Sequence, residues 1–242
     1  MCTVTFIPAK DKIFITSNRD EKTVRKQAIP PQPYLINKAT ILFPKDADAG
    51  GTWIAMKNNG HAAVLLNGGF VKHTSNPPYA RSRGLVFLEI AAAEDAVQHY
   101  HQISLENIEP FTTILYRENE LFECRWDGSQ KHIKQLSSNE PHIWSSVTLY
   151  DNDVIRRRER WFSKWLERNS NPTQEDIFFF HQFGGDGDEE NALVMKRQDI
   201  YHTVSVTGIE LRPDNGKMKY LDMKNGRIYE QNIRLNPHPI NQ

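Results

Sequence analysis

The chain predicts a mixed α+β, mostly antiparallel fold, and three observations carry the prediction. Short runs rich in β-branched and aromatic residues recur along the chain, with Asn-Gly pairs at 59–60, 215–216 and 225–226 as hairpin turns. Two stretches, 82–101 and 151–168, change to the helical spacing of apolar residues. The resulting order is strands, helices, strands, helices, strands, which two antiparallel sheets packed face to face under helices would satisfy. The 242 residues are 38% hydrophobic, enough for a substantial core. No Pro/Gly/Ser-rich linker and no internal repeat divides them, so residues 1–242 are read as one domain.

The first element is a hairpin. Thr3-Val4-Thr5-Phe6-Ile7 and Ile13-Phe14-Ile15-Thr16 read as strands, with the turn-type residues Pro8-Ala9-Lys10-Asp11 between them. A turn centred near Lys10 pairs Phe6 with Phe14, Val4 with Thr16 and Cys2 with Asn18. It folds the polar run Ser17-Asn18-Arg19-Asp20-Glu21 back beside the start of the chain. Removal of Met1, usual before a small second residue, would leave Cys2 with a thiol and a free α-amine. That amine has an ordinary pKa of about 7.7–8.0 and can serve as general base for its own thiol. Arg19 would favour the thiolate, and Asp20 would hold the ammonium or the arginine. Taken singly, Cys2 reads as a small core residue and the polar run as a solvated turn. Their meeting at the two ends of one hairpin points to a catalytic pair.

Lys22 to Tyr34 contains Pro30, Pro31 and Pro33 and reads as a surface loop. Strands are expected at Thr40–Phe43, Thr52–Met56 and His61–Leu66, the last ending at Asn67-Gly68-Gly69, where glycines let a ligand or another segment approach the backbone. Phe70 to Ala80 reads as a loop over a pocket mouth. Ser82 to His101 follows as one or two helices with a break at Ala93-Glu94-Asp95. Further strands are expected at Thr112–Arg117, Glu120–Trp126, His132–Leu136 and His142–Val147. Asp151 to Arg168 is an amphipathic helix with an apolar stripe of Ile155, Phe162 and Leu166. Asn171-Pro172-Thr173, with Glu175 behind it, marks another helix start, and Gly184 to Asn191 reads as a mobile acidic loop. Strands at Thr203–Leu211, Lys217–Leu221 and Ile228–Leu235 close the chain, turning at Asn215-Gly216 and Asn225-Gly226.

Charge and composition exclude several function classes. Lys+Arg and Asp+Glu both number 30, leaving no global field for nucleic acid, and Arg156-Arg157-Arg158 with Arg160 reads as a solvated helix face. Cys2 and Cys124 are the only cysteines, which suits a reducing compartment. With no secretory pattern and no long apolar run, the expectation is a cytoplasmic protein without a membrane span. His99 and His101 read as a solvated helix end, and Gly184–Asn191 lacks the spacing of a calcium loop, so no metal and no cofactor are inferred.

Met1-Cys2 followed by Ser17-Asn18-Arg19-Asp20-Glu21 resembles the NRDE domain, the family of the transport and Golgi organisation protein. That family is similar to the cysteine N-terminal-nucleophile hydrolases, which include penicillin V acylase and bile-salt hydrolase. Gly50-Gly51-Thr52-Trp53, Leu66-Asn67 and Ser82-Arg83-Gly84 follow in the family's order. The resemblance implies a four-layer αββα sandwich. It implies a catalytic set of Cys2, Arg19, Asp20 and Asn67, with Asn67 as oxyanion donor, and Asn18, Trp53 and Gly68 around the substrate. From its own neighbours alone, Asn67 reads as a turn residue beside Gly68. The hydrolases' later asparagine and arginine have no match here; Trp144-Ser145-Ser146 stands about where the asparagine is expected. Two functions follow. One is an amidohydrolase or acyltransferase acting on a small acyl-amide substrate. The other is a non-catalytic carrier of an apolar or acyl-linked metabolite such as haem or an acyl-CoA.

Overall fold

In the computed structural model, which describes residues 3–236, the opening hairpin pairs β1 (Thr3–Ala9) with β2 (Lys12–Lys22). Ala9 lies opposite Lys12 and Thr3 opposite Asn18, so the register is one residue from the expected one: Phe6 faces Ile15, Ile7 faces Phe14 and Val4 faces Ser17. The reason is the turn. Pro8 and Ala9 stay in the strand, leaving only Lys10 and Asp11 to reverse the chain, and a two-residue loop is centred between residues. The expected pairing of Cys2 falls outside the described residues.

The prolines did not prevent a strand. β3 (Ile29–Ile36) contains all three and pairs only with β4 (Ala39–Lys45), its register shifting between Ile29 and Gln32, where Pro30 and Pro31 lie. β3 is a sheet edge, where a residue without an N–H costs no ladder bond on the open side. The chain continues through β5 (Ile54–Lys57), β6 (Ala62–Asn67), α1 (Arg83–Ala92) and α2 (Ala96–Gln102). Ser82 caps α1 by accepting the Leu85 N–H, and Asp95 caps α2, so the break falls at 93–95 as the sequence suggests. Then come β7 (Phe111–Arg117), β8 (Glu120–Trp126), β9 (Lys131–Leu136), β10 (His142–Ser145), α3 (Asn152–Arg168) and α4 (Gln174–Phe183). Thr173 caps α4 in a capping box closed by Asp176, not Glu175. β11 (Lys196–Arg197), β12 (Tyr201–Leu211), β13 (Asn215–Asp222) and β14 (Ile228–Arg234) complete the order. Asn215-Gly216 is not the turn: Gly216 already pairs with Leu211, and the reversal runs through Pro213-Asp214. Asn225-Gly226 does turn, with Gly226 at φ +69°.

Two antiparallel sheets of seven strands result. One runs β10-β1-β2-β12-β13-β14 with β11 beside β12, and the other β3-β4-β5-β6-β7-β8-β9. α3 and α4 cover the first sheet, and α1 and α2 the second, giving four layers, αββα. A single hydrophobic cluster joins Val4, Phe6, Ile15 and Ile209 of one sheet to Ile54, Val64 and Ile114 of the other, and extends to Phe87 and Ile90 on the buried face of α1. A second, with Ile7, Phe14, Phe162, Ile177 and Phe180, fills the space beneath α3 and α4. Side chains along β2 therefore alternate in destination. Ile15, Ser17, Arg19 and Glu21 share the face towards the other sheet, while Phe14, Thr16, Asn18 and Asp20 face the helices. No helix among the described residues is long and apolar enough to cross a membrane.

Candidate active site

At the end of the sandwich where β1 begins and β2 runs out, a cleft of about 590 Å³ opens between the sheets, with Arg19, Trp53, Asn67 and Arg83 in its walls. Two glycines bring those walls together. A Cβ on Gly51 would lie 2.4 Å from the Gly84 carbonyl carbon and 2.7 Å from the Leu85 nitrogen, so the loop before β5 meets the start of α1 only because Gly51 has no side chain. The Thr52 N–H donates to the Gly84 carbonyl at 3.3 Å in the same contact. The Gly-Gly-Thr-Trp and Ser-Arg-Gly sequences are thus the two halves of one junction.

Arg19 is buried and firmly held. Its Nη2 lies 2.6 Å from Asp46 Oδ2 and 3.4 Å from Glu21 Oε2, and its guanidinium sits 4.5 Å from the centre of the Trp53 ring. Arg25 reaches the same Asp46 oxygen at 3.0 Å. Burial pushes the Asp46 pKa up, but the Ala49 N–H, Arg19, Arg25 and the Asp48 N–H together hold it below the usual carboxylate value. Asn67 lines the cleft at the end of β6, and its backbone carbonyl accepts the Ser146 hydroxyl at 2.8 Å. Among the described residues its side-chain amide has no hydrogen-bond partner, which leaves an N–H pair available to a ligand.

The other sequence-predicted positions are elsewhere. Asp20 lies on the opposite face of β2 from Arg19, accepting the Tyr150 hydroxyl at 2.9 Å and the Thr203 hydroxyl at 2.5 Å; Asp46, not Asp20, holds the arginine. Asn18 also faces the helices, donating to the carbonyls of His181 and Leu193 at 3.0 and 2.6 Å. Gly68, at φ +87°, does not line the cleft but packs against Val147 and Thr148. Cys2 lies outside the described residues. The structure therefore brings Arg19, Trp53 and Asn67 to one cleft and sends Asn18 and Asp20 to a second layer.

That second layer is a buried polar network under the first residues of β1. Arg158, fully buried, donates to the Thr3 hydroxyl at 2.5 Å and to the carbonyls of Asn191 and Ala192 at 3.1 and 2.6 Å, and stacks 3.6 Å from the Tyr150 ring. No carboxylate among the described residues pairs with it. His181, also fully buried, hydrogen-bonds Thr5 Oγ1 at 2.8 Å and Asn18 Oδ1 at 2.5 Å. Burial, reinforced by the Arg158 charge, pushes its pKa down to about 3, so the ring is neutral. The reading of the arginine run as a solvated face fails at this residue. Arg156 is exposed beside Asp153 and Arg157 reaches Asp186 and Asp188, but Arg158 lies between Val154 and Phe162 at i,i+4 spacing, in the buried stripe of α3. That spacing was the available signal. The acidic loop is likewise tied down: Arg157 reaches its Asp186 and Asp188, its Asn191 carbonyl accepts from Arg158, and the carbonyls just after it, of Ala192 and Leu193, accept from Arg158 and Asn18.

Chemically, the cleft places a fixed guanidinium, an aromatic wall and a side-chain amide around one space, groups that can orient a polar ligand by hydrogen bonding and stacking. Among the described residues no three His, Cys, Asp or Glu side chains converge as metal ligands would.

The family model for Transport and Golgi organisation 2 matches residues 1–210. No curated protein sequence matches the chain. Among solved structures, the Caenorhabditis elegans ortholog of N-acylethanolamine-hydrolyzing acid amidase superposes with a TM-score of 0.62 at 12% identity, covering 86% of this chain and 92% of its own. A cysteine-to-alanine mutant of the conjugated bile acid hydrolase from Clostridium perfringens gives 0.57 at 12% identity with both chains fully covered. An arginine-to-leucine variant of the same hydrolase gives 0.56 at 12% identity over 99% of this chain and 100% of its own. At that identity the likeness establishes the N-terminal-nucleophile hydrolase-like sandwich fold.

Proposed function

The chain belongs to the Transport and Golgi organisation 2 family, and from its cleft and its fold we propose that it is a cysteine N-terminal-nucleophile amidohydrolase or acyltransferase acting on a small acyl-amide substrate. The observation that carries the reading is the convergence of Arg19, Trp53 and Asn67 on one cleft at the end of the sheet where β1 starts. Thr3, bonded to Cys2, pairs with Asn18, bonded to Arg19. The neighbours support the same chemistry: one is named for amide hydrolysis, and another was solved with its second residue, a cysteine, replaced by alanine.

In this reading Met1 is removed and the Cys2 α-amine takes the thiol proton. The sulfur then attacks the acyl carbonyl carbon, forming a C–S bond and an oxyanion that receives a hydrogen bond from the Asn67 amide. Collapse breaks the C–N bond, and the ammonium returns its proton to the departing amine. Water, or an acceptor amine, attacks the thioester, releasing the acyl group and restoring the thiol. Arg19, held by Asp46, supplies positive charge near the nucleophile. Asp20 serves at one remove, through the Tyr150 ring on which Arg158 rests.

Intact-mass analysis before and after iodoacetamide tests this. Cys124 is fully buried and burial pushes its thiol up to about 12, so it stays unlabelled in the folded protein. The expected result is loss of one methionine and rapid addition of one label, absent in Cys2→Ala. A retained methionine with an inert Cys2 would remove the hydrolase reading and favour a carrier.

A further inference from the structure

A second cavity, of about 200 Å³, lies behind Arg19 where the ends of β2, β12 and β13 meet the loop after β2. We propose that it binds a small amphipathic anion, a carboxylate carried on a short aliphatic chain.

Volume and lining set the size and the body of the ligand. At about 30 Å³ for each water-sized group, the space takes roughly seven heavy atoms. Its apolar lining includes Ala28, Val204 and Met223 with the ring of Tyr220, alongside the polar residues of the same wall. Charge sets the head group. Of the cations in the lining, Arg19, Arg25 and Lys26 are occupied by Asp46, Glu21 and Asp48. Lys22 and Lys224 have no carboxylate partner among the described residues; Lys22 stands 6.0 Å from the Tyr201 ring instead. Of the two carboxylates in the lining, Glu21 is held by Arg19 and Arg25, and Asp222 is taken by the Gln27 amide and by the backbone N–H groups of Lys224 and Asn225. His202 Nε2 is buried in the same wall without a hydrogen bond, its nearest carboxylate oxygen, on Asp199, being 3.7 Å away. Two ammonium groups without a carboxylate partner among the described residues, around an apolar lining, select an anion over a neutral or cationic ligand of the same shape.

The position gives the site a use. Arg19, Glu21 and Arg25 form a wall common to this cavity and to the large cleft. A substrate lying across that wall would set its acyl-amide beside Arg19 and Asn67 and its carboxylate at Lys22 and Lys224. This last step rests on the hydrolase reading; the anion site does not.

The test is calorimetric titration of the full chain with hexanoate, and with hexanol and hexylamine as neutral and cationic partners of the same length. Hexanoate should bind, the other two should bind at least tenfold more weakly, and Lys22→Gln/Lys224→Gln should weaken hexanoate by about tenfold with an unchanged thermal melt. Met223→Trp, which fills the cavity, should abolish binding while both lysines remain. Absence of hexanoate binding, equal affinity for hexanol, or indifference to the lysine change would each overturn the proposal. Hexanoate binding beside an inert Cys2 would sink the hydrolase reading alone, and a labelled Cys2 without hexanoate binding would sink the anion site alone.

Discussion

Arg158→Met removes a buried cation and the donors of three hydrogen bonds while keeping most of the side-chain length. Hydrogen bonds to a charged group contribute about 1.5–3 kcal/mol each, so the three to Thr3, Asn191 and Ala192 amount to roughly 4–9 kcal/mol gross. Against this stands the desolvation of a guanidinium with no carboxylate partner, itself several kcal/mol, which the substitution relieves. The two backbone carbonyls left without a donor cost about 1–3 kcal/mol each, whereas the Thr3 hydroxyl can rotate to another partner. The balance is a loss of about 2–4 kcal/mol. Urea unfolding followed by tryptophan fluorescence measures it, and Arg156→Met, two residues away on the exposed face, is the control expected to stay within about 0.5 kcal/mol. Arg158→Lys should fail nearly as badly as Met, because an ammonium cannot present the planar fork that reaches Thr3 and two carbonyls at once. If Arg158→Met proved as stable as Arg156→Met, the network under β1 would not be holding the strand.

His181 predicts a pH dependence. Its folded pKa, about 3, lies below the ordinary 6.5, so between those values the unfolded chain binds a proton that the folded one does not. Stability from this group is therefore complete above about pH 6.5 and declines on acidification, by at most about 1.4 kcal/mol per pH unit. His181→Gln should flatten the acid limb of stability against pH relative to the parent, whatever its effect at pH 7, and identical slopes would contradict the assignment. Gly51→Ala forces a Cβ against the backbone of Gly84 and Leu85, which no rotamer can relieve, and should destabilise by about 1–3 kcal/mol in a thermal or urea melt. Gly50→Ala, whose Cβ would meet only the Lys45 side chain at 4.0 Å, separates the clash from the φ of +73° that strains that position instead.

The strands and helices were legible because their signals are local. Runs of β-branched and aromatic residues such as Thr112–Arg117, the helical stripe of 151–168, and caps at Ser82 and Thr173 depend on neighbours in sequence, and each lies in the expected element. What was misread depended on tertiary position. Prolines exclude a strand only if both its edges are paired, and the prolines of β3 sit on an edge no local pattern reveals. The register of the first hairpin turned on whether Pro8 and Ala9 belong to turn or strand, which propensity alone does not decide. Asp46, the true partner of Arg19, arrives from the other sheet with no sequence signal that links it to the run at 17–21.

Strand parity, which the expected pairing of Asp20 with Arg19 overlooks, decides how the Asn18-Arg19-Asp20-Glu21 signature works. Consecutive residues of a β-strand project to opposite faces, so four adjacent polar side chains on β2 cannot serve one point. Arg19 and Glu21 go to the cleft, where Asp46 and Arg25 complete an ion cluster beneath Trp53. Asn18 and Asp20 go to the helical layer, where they fasten His181, Leu193 and Tyr150, and through those the ring and carbonyls that surround Thr3, Thr5 and Arg158. One half of the signature thus furnishes the cleft while the other braces the back of the strand that leads to Cys2. Loss of Asn18 or Asp20 should therefore disturb the seating of β1 without emptying the cleft of its charge, and loss of Arg19 should do the reverse.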